Sequence, residues 1–199
     1  MRLLPLAIGV LGTLLWDAAA AEPAWRTAPL PPEAERLNRT ADAAASLDTA
    51  MRLYARSLRV CPTNGPALHG FGLALLEQGR AADARNVFER METLFPGDPT
   101  VHTLLAHAAA RLPDPRRADI RRGLESARFA VESDPANAEA WHVLSLLQYL
   151  DGDYAAALEA ARQSLVLDAR QPAGPETTQR YQQQETACHD ALLVFSPLD

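Results

Sequence analysis

The sequence predicts an all-α protein, an α-α superhelix of about four helix-turn-helix repeats with a C-terminal capping helix. Two observations carry that expectation. Apolar residues make up 48% of the 199-residue chain but aromatics only 6%, and alanine is common, a balance that favours closely packed helices over sheet. The prolines then mark a period: Pro62, Pro96 and Pro135 each close an apolar helical pattern, at spacings of 34 and 39 residues. A further 34 residues leads to Ala169, where proline is replaced.

The elements follow in chain order. Met1 and Arg2 precede an apolar stretch from Leu3 to Leu15, and Ala18 to Ala21 supply small residues before Glu22-Pro23. This is the layout of a secretory signal peptide, residues 1–21, with cleavage expected after Ala21. The apolar run is shorter than the roughly 20 residues that span a bilayer, and no cysteine stands at the cut, so no stable membrane anchor is expected after cleavage. Residues 22–32 (EPAWRTAPLPP) hold four of the 15 prolines and read as an extended leader.

The repeat domain is expected over 33–171, in units of about 31–64, 65–98, 99–137 and 138–171. In the second unit Leu68, Phe71, Gly72 and Leu75 precede Gly79, Ala84, Phe88, Met91 and Pro96. The fourth repeats this with Trp141, Leu144, Ser145 and Gln148, then Gly152, Ala157, Ala161 and Ser164. The first offers Ala34, Leu37, Asn38, Ala41, Ala50, Tyr54, Ser57 and Pro62. The third offers His102, Leu105, Ala106, Ala109, Gly123, Ala127, Ala130 and Pro135. On these residues the chain resembles the tetratricopeptide repeat (TPR) family, with its W-x2-L-G-x2-Y, A-x3-F and P pattern. Small residues such as Gly72, Ala84, Ser145 and Ala157 let helix backbones approach, and larger neighbours such as Leu68 and Phe88 fill the space beside each crossing. Each pair has too little surface of its own and buries it against the next; proline ends the second helix.

Two departures have structural consequences. Five extra residues around Arg111–Pro115 should lengthen the loop inside the third unit. After the break at Gln171–Pro175, Tyr181, Cys188, Leu192 and Phe195, with Ala191 and Val194 beside them, recur at helical spacing. The segment 175–196 is therefore expected to cap the open end of the stack.

Composition excludes several chemistries. The chain carries 19 basic residues, all arginine, and a net charge of -6. With no lysine it has no Schiff-base or phosphate-loop lysine, and its acidic balance argues against a nucleic-acid partner. Gly70-Phe71-Gly72 lies inside a helical repeat and lacks the third glycine of a nucleotide-binding loop. No catalytic residue, cofactor or enzymatic activity is expected.

In TPR proteins the first helix of each unit lines a concave groove, and the resemblance implies which side chains would face it. Projection gives Glu35, Arg39 and Asp42 from the first unit, and His69, Leu73, Leu76 and Glu77 from the second. The third contributes Thr103, His107 and Arg111, and the fourth Glu139, His142, Leu146 and Tyr149. Arg39, His69, Leu73, Leu76, Glu77, Thr103, His107, Arg111, His142, Leu146 and Tyr149 form the expected peptide-binding groove. His69, His107 and His142 raise the alternative of a metal-handling or metalloprotein-maturation factor. Against it, His107 lies about one turn further along its helix than the other two lie along theirs. Neighbouring helix axes stand about 8–10 Å apart, so one ion meeting all three is hard to arrange, and no metal site is expected.

Cys61 and Cys188 fall at opposite ends of the expected stack and should not pair within one chain. Arg116, Arg117, Arg121 and Arg122 form a basic patch, read as a solvated face, with docking of an anionic partner as the alternative. The functional expectation is a periplasmic or secreted scaffold of a bacterial envelope. It would bind a peptide segment or helix of another protein and assist assembly or maturation of an envelope complex, a role that rests on the resemblance alone.

Overall fold

The computed structural model describes residues 22–195; the expected signal peptide lies outside the described residues. Ten helices and no strand occur among the described residues. They are α1 (Ala24–Thr27), α2 (Pro32–Asp42), α3 (Leu47–Val60), α4 (Gly65–Glu77), α5 (Ala81–Leu94), α6 (Pro99–Ala110), α7 (Arg117–Ser133), α8 (Ala138–Asp151), α9 (Tyr154–Arg170) and α10 (Pro175–Phe195). The chain divides after Asp98 into two compact units.

In the first unit α2 packs on α3, α3 on α4 and α4 on α5. Nearly every small position of the repeat pattern is buried: Ala34, Ala41, Ala50, Gly72 and Ala84. The need for small residues is steric. A Cβ at Gly72 would stand 2.2 Å from Cε1 of Phe88, and one at Gly70 would stand 2.3 Å from the Tyr54 ring. A polar knot joins the two hairpins. Ser57 donates to Asn38 Oδ1 at 2.7 Å, Asn64 Nδ2 donates to Ser57 Oγ at 2.9 Å, and Asn38 Nδ2 donates to Asn64 Oδ1 at 3.1 Å. Asn64 Oδ1 also accepts from the Ala67 N–H at 3.0 Å and so caps α4. All three side chains are buried, and their mutual bonding offsets the desolvation that burial imposes.

In the second unit α6 packs on α7 and α8, α7 on α8, α8 on α9, and α9 on α10. Its core joins Ala106, Ala109, Leu124, Ala127, Ala130, Val143, Leu144 and Leu147. Gly123 is again a close approach, since a Cβ there would meet Ala109 and Leu147 at 2.8 Å. Asn137 caps α8 through the Ala140 N–H at 3.1 Å, as Asn64 caps α4. The extra residues of the third repeat lie in the loop between Ala110 and Arg117.

The connection from α9 to α10 is fastened by Asp168, a buried carboxylate in the last turn of α9. It accepts from the Ala173 N–H at 3.0 Å and the Thr178 hydroxyl at 2.5 Å. On α10 the buried side chains are Tyr181, Gln184, Cys188 and Ala191. Val194 and Phe195, expected within the apolar stripe, are exposed, although the Phe195 ring stacks on Tyr154 at 5.3 Å. Gln184 extends the stripe instead, with its amide donating to Ser145 Oγ at 3.2 Å. The leader also departs from expectation. Residues 24–27 form one helical turn on α4, and Trp25 is 3% exposed. Both cysteines are free thiols.

Candidate functional site

The expected groove residues come from the first helices of the repeats, and each unit presents its own set. In the first unit Arg39 on α2 and Glu77 at the end of α4 are exposed, and Leu73 is half-buried between them in sequence. Leu76, expected on the same surface, is 2% exposed. Its position one residue before Glu77 turns it into the helix packing, so it belongs to the core and not to a groove.

His69 does face outward from α4, but its face is covered. The Trp25 ring stacks on its imidazole with centroids 4.8 Å apart and planes 17° from parallel. Burial pushes the His69 pKa down to about 4, and the nearby Arg26 guanidinium adds to the shift. Arg26 also lies over the Trp25 ring, 5.2 Å from its centroid. A Cβ on Gly65, one turn before His69, would fall 2.3 Å from the Trp25 carbonyl oxygen.

In the second unit the side chains form a charged cluster. Glu139 on α8 is its centre: Tyr181 donates its hydroxyl to Oε2 at 2.8 Å, Arg180 approaches at 3.5 Å, and His107 Nδ1 stands 3.8 Å from Oε1. Burial alone would raise the Glu139 pKa. His107, His142, Arg180 and the Tyr181 hydroxyl outweigh it and hold the carboxyl below its usual range. His142 was expected to line the groove but is 4% exposed, because the Tyr181 ring from α10 lies against it at 4.7 Å. Burial pushes its pKa down to about 4 against the pull of Glu139. Thr103, also expected in the groove, is 6% exposed and donates to the Pro99 carbonyl at 2.9 Å one turn back; it is an internal helix residue.

Arg111 is exposed at the end of α6, and Leu146 and Tyr149 remain half-buried on α8. Tyr149 meets the edge of Tyr154 at 5.2 Å. What this unit leaves open among the expected groove residues is Arg111, with Leu146 and Tyr149 in part, while His107 is largely taken up by Glu139. Among the described residues no group of three or more histidine, cysteine, aspartate and glutamate side chains could hold a metal ion. Nor is any described helix long and apolar enough to cross a membrane.

Two residues outside the expected groove, Tyr181 and Trp25, shape these faces. Tyr181 was legible as part of the α10 stripe and Glu139 as a residue projected onto the groove, but no period linked the two. Trp25 had one signal, a large apolar ring in an otherwise proline-rich leader.

Two tetratricopeptide repeat family models match the chain, over residues 37–108 and 116–175. The chain belongs to the tetratricopeptide repeat family. Solved structures share its fold as a TPR-type helical solenoid. A thermophilic TPR protein of Thermus thermophilus is 20% identical, with a TM-score of 0.61 over 83% of this chain and 91% of its own. MamA (residue 41 to the end) from Desulfovibrio magneticus RS-1 is 15% identical, with a TM-score of 0.59 over 85% of this chain and all of its own. The TPR2AB domain of yeast Sti1, solved as a complex with pHSP90, is 17% identical, with a TM-score of 0.51 over 78% of this chain and 69% of its own. No curated protein sequence matches this chain.

Proposed function

We propose that the protein is an exported scaffold that holds a segment of another protein on the first-helix faces of its repeats and so assists assembly or maturation of an envelope complex. The observation that carries the reading is the mixed surface left on those helices. Leu73 remains partly open one turn before the exposed Glu77 on α4, and in the other unit Leu146 on α8 is partly open and Arg111, just after α6, is exposed. Apolar contact of this kind supplies affinity, and the flanking charges select register. The yeast Sti1 domain, which shares the fold, is itself a protein complex with pHSP90.

Export rests on the sequence of residues 1–21: a basic start, a short apolar middle and small residues before the expected cleavage after Ala21. The scaffold has no catalytic role in this reading. Its partner is protein, not nucleic acid, in keeping with the net charge of -6. Metal handling finds no favouring observation, since His69 lies under Trp25 and His142 under Tyr181.

Affinity capture from an envelope fraction tests the assignment, comparing the unaltered chain with a Leu73→Glu, Leu146→Glu variant. Partners retained by the first and lost by the second are expected. Recovery of the same proteins by both would remove the first-helix faces as the binding surface. Periplasmic fractionation of the tagged chain, with N-terminal sequencing, checks export; a cytoplasmic chain that begins at Met1 would overturn it.

A further inference from the structure

A single turn of helix does not persist on its own, because nucleation is unfavourable and few hydrogen bonds repay it. Residues 24–27 therefore hold their turn because α4 grips Trp25. The grip has a definite shape. The indole stacks on His69 at 4.8 Å, and its residue's backbone runs so close to Gly65 that any side chain there would collide with the Trp25 carbonyl. The α4 surface is thus cut to receive an aromatic ring and its backbone.

The same contact is imperfect. Trp25 Nε1 is buried without a hydrogen-bond partner, whereas a buried indole N–H normally finds one. An unmade bond of this kind leaves the desolvation of the N–H uncompensated, which weakens the hold on the segment. The segment is tethered to α2 by Ala28–Pro31, whose extended backbone at Ala28 and Pro31 ends the turn. A short tether of this type presents its ligand at an effective concentration on the order of mM, enough to fill a weak site while leaving it exchangeable.

We propose that α4 carries, between Gly65 and His69, a receptor notch for a tryptophan-bearing protein segment, and that residues 22–31 fill this notch in cis as a built-in competitor. The partner segment has the chemistry of the leader itself: an indole followed by a cationic side chain, as Arg26 follows Trp25 and lies over its ring. This inference rests on α4 being a binding face and names the ligand class it takes in the first unit. The stacked imidazole is neutral at physiological pH, consistent with the lowering of the His69 pKa by burial, so the pair is an aromatic stack and not a cation-π contact.

The probe is a synthetic peptide of residues 22–32, blocked at both ends, titrated by calorimetry into the full chain and into its Trp25→Ala variant. The peptide is expected to bind the variant and to bind the unaltered chain about tenfold more weakly, because the resident segment must first leave. A peptide with alanine in place of its tryptophan should bind neither. Equal binding to both chains, or no binding to the variant, overturns the proposal. Gly65→Ala supplies an independent reading, since its methyl group would collide with the leader. His69, followed by proton NMR, should then titrate near its ordinary 6.5 instead of about 4; an unchanged titration also overturns the notch. The outcomes stay distinct from the scaffold reading. Loss of peptide binding with Leu73-dependent capture intact sinks the notch alone, and loss of that capture with peptide binding intact sinks the scaffold reading alone.

Discussion

At Gly72 the Phe88 ring occupies the space a Cβ would need. Gly72→Ala forces the ring off its rotamer and is expected to cost about 1–3 kcal/mol. Urea denaturation should show a lower midpoint, partly restored by a second change, Phe88→Leu; an unaltered midpoint would mean the crossing has slack. Histidine protonation gives a second residue-scale prediction. His69 and His142 are held near 4 in the folded chain, against 6.5 when unfolded. Between those values the unfolded state binds protons that the folded state refuses, so stability falls as pH drops from about 6.5 to about 4, by roughly 1.4 kcal/mol per pH unit for each histidine. Denaturation midpoints at pH 7 and pH 5 read this slope. His142→Phe should flatten it, and a slope unchanged in the variant would remove His142 from the account. The small residues at helix crossings were legible in the sequence because sterics fix them at set places in the repeat. The burial of Leu76, Thr103 and His142 was not, because projection onto a first-helix face takes no account of the turn of each helix or of the ring that α10 lays over His142.

Helix ends show the same logic one scale up. Asn64 and Asn137 stand at equivalent places after Pro62 and Pro135, and each caps the helix that follows. Asn64 also belongs to the buried knot with Asn38 and Ser57. Asn64→Ala should therefore cost more than the ~1 kcal/mol of an ordinary cap, with Asn137→Ala as the comparison; equal losses in thermal denaturation would deny the knot any weight. The terminal helix α10 is fastened by Tyr181 to Glu139 and by Thr178 to Asp168. Tyr181→Phe removes one donor from a buried carboxylate, an expected loss of about 1–3 kcal/mol. Hydrogen exchange should quicken across α10 and leave α2–α5 unchanged; protection of α10 as before would show that Arg180 and His107 suffice. The pairing of long helices and the lengthened loop before α7 were legible because periodicity and insertion leave plain marks. The turn of α1 was not, since four residues carry no period and its cause is a contact with α4.

At the scale of the chain, the TPR match over residues 37–108 and 116–175 accounts for the helical solenoid, and the repeat spacing accounts for the match. Function was legible only as a class. The residues that decide what each face offers are Trp25 over His69, and Tyr181 with Arg180 around Glu139. They come from the leader and from α10, segments that lie outside the repeat pattern. The central claim is that the first-helix faces, and not the second-helix backs, meet protein partners. A photo-crosslinking amino acid placed singly at Leu73, Leu146, Phe129 or Val166 tests it most directly, the last two being exposed apolar positions on α7 and α9. Irradiation of intact cells of the native host should give protein adducts from Leu73 and Leu146 and none from Phe129 or Val166. Adducts confined to the second pair would contradict it.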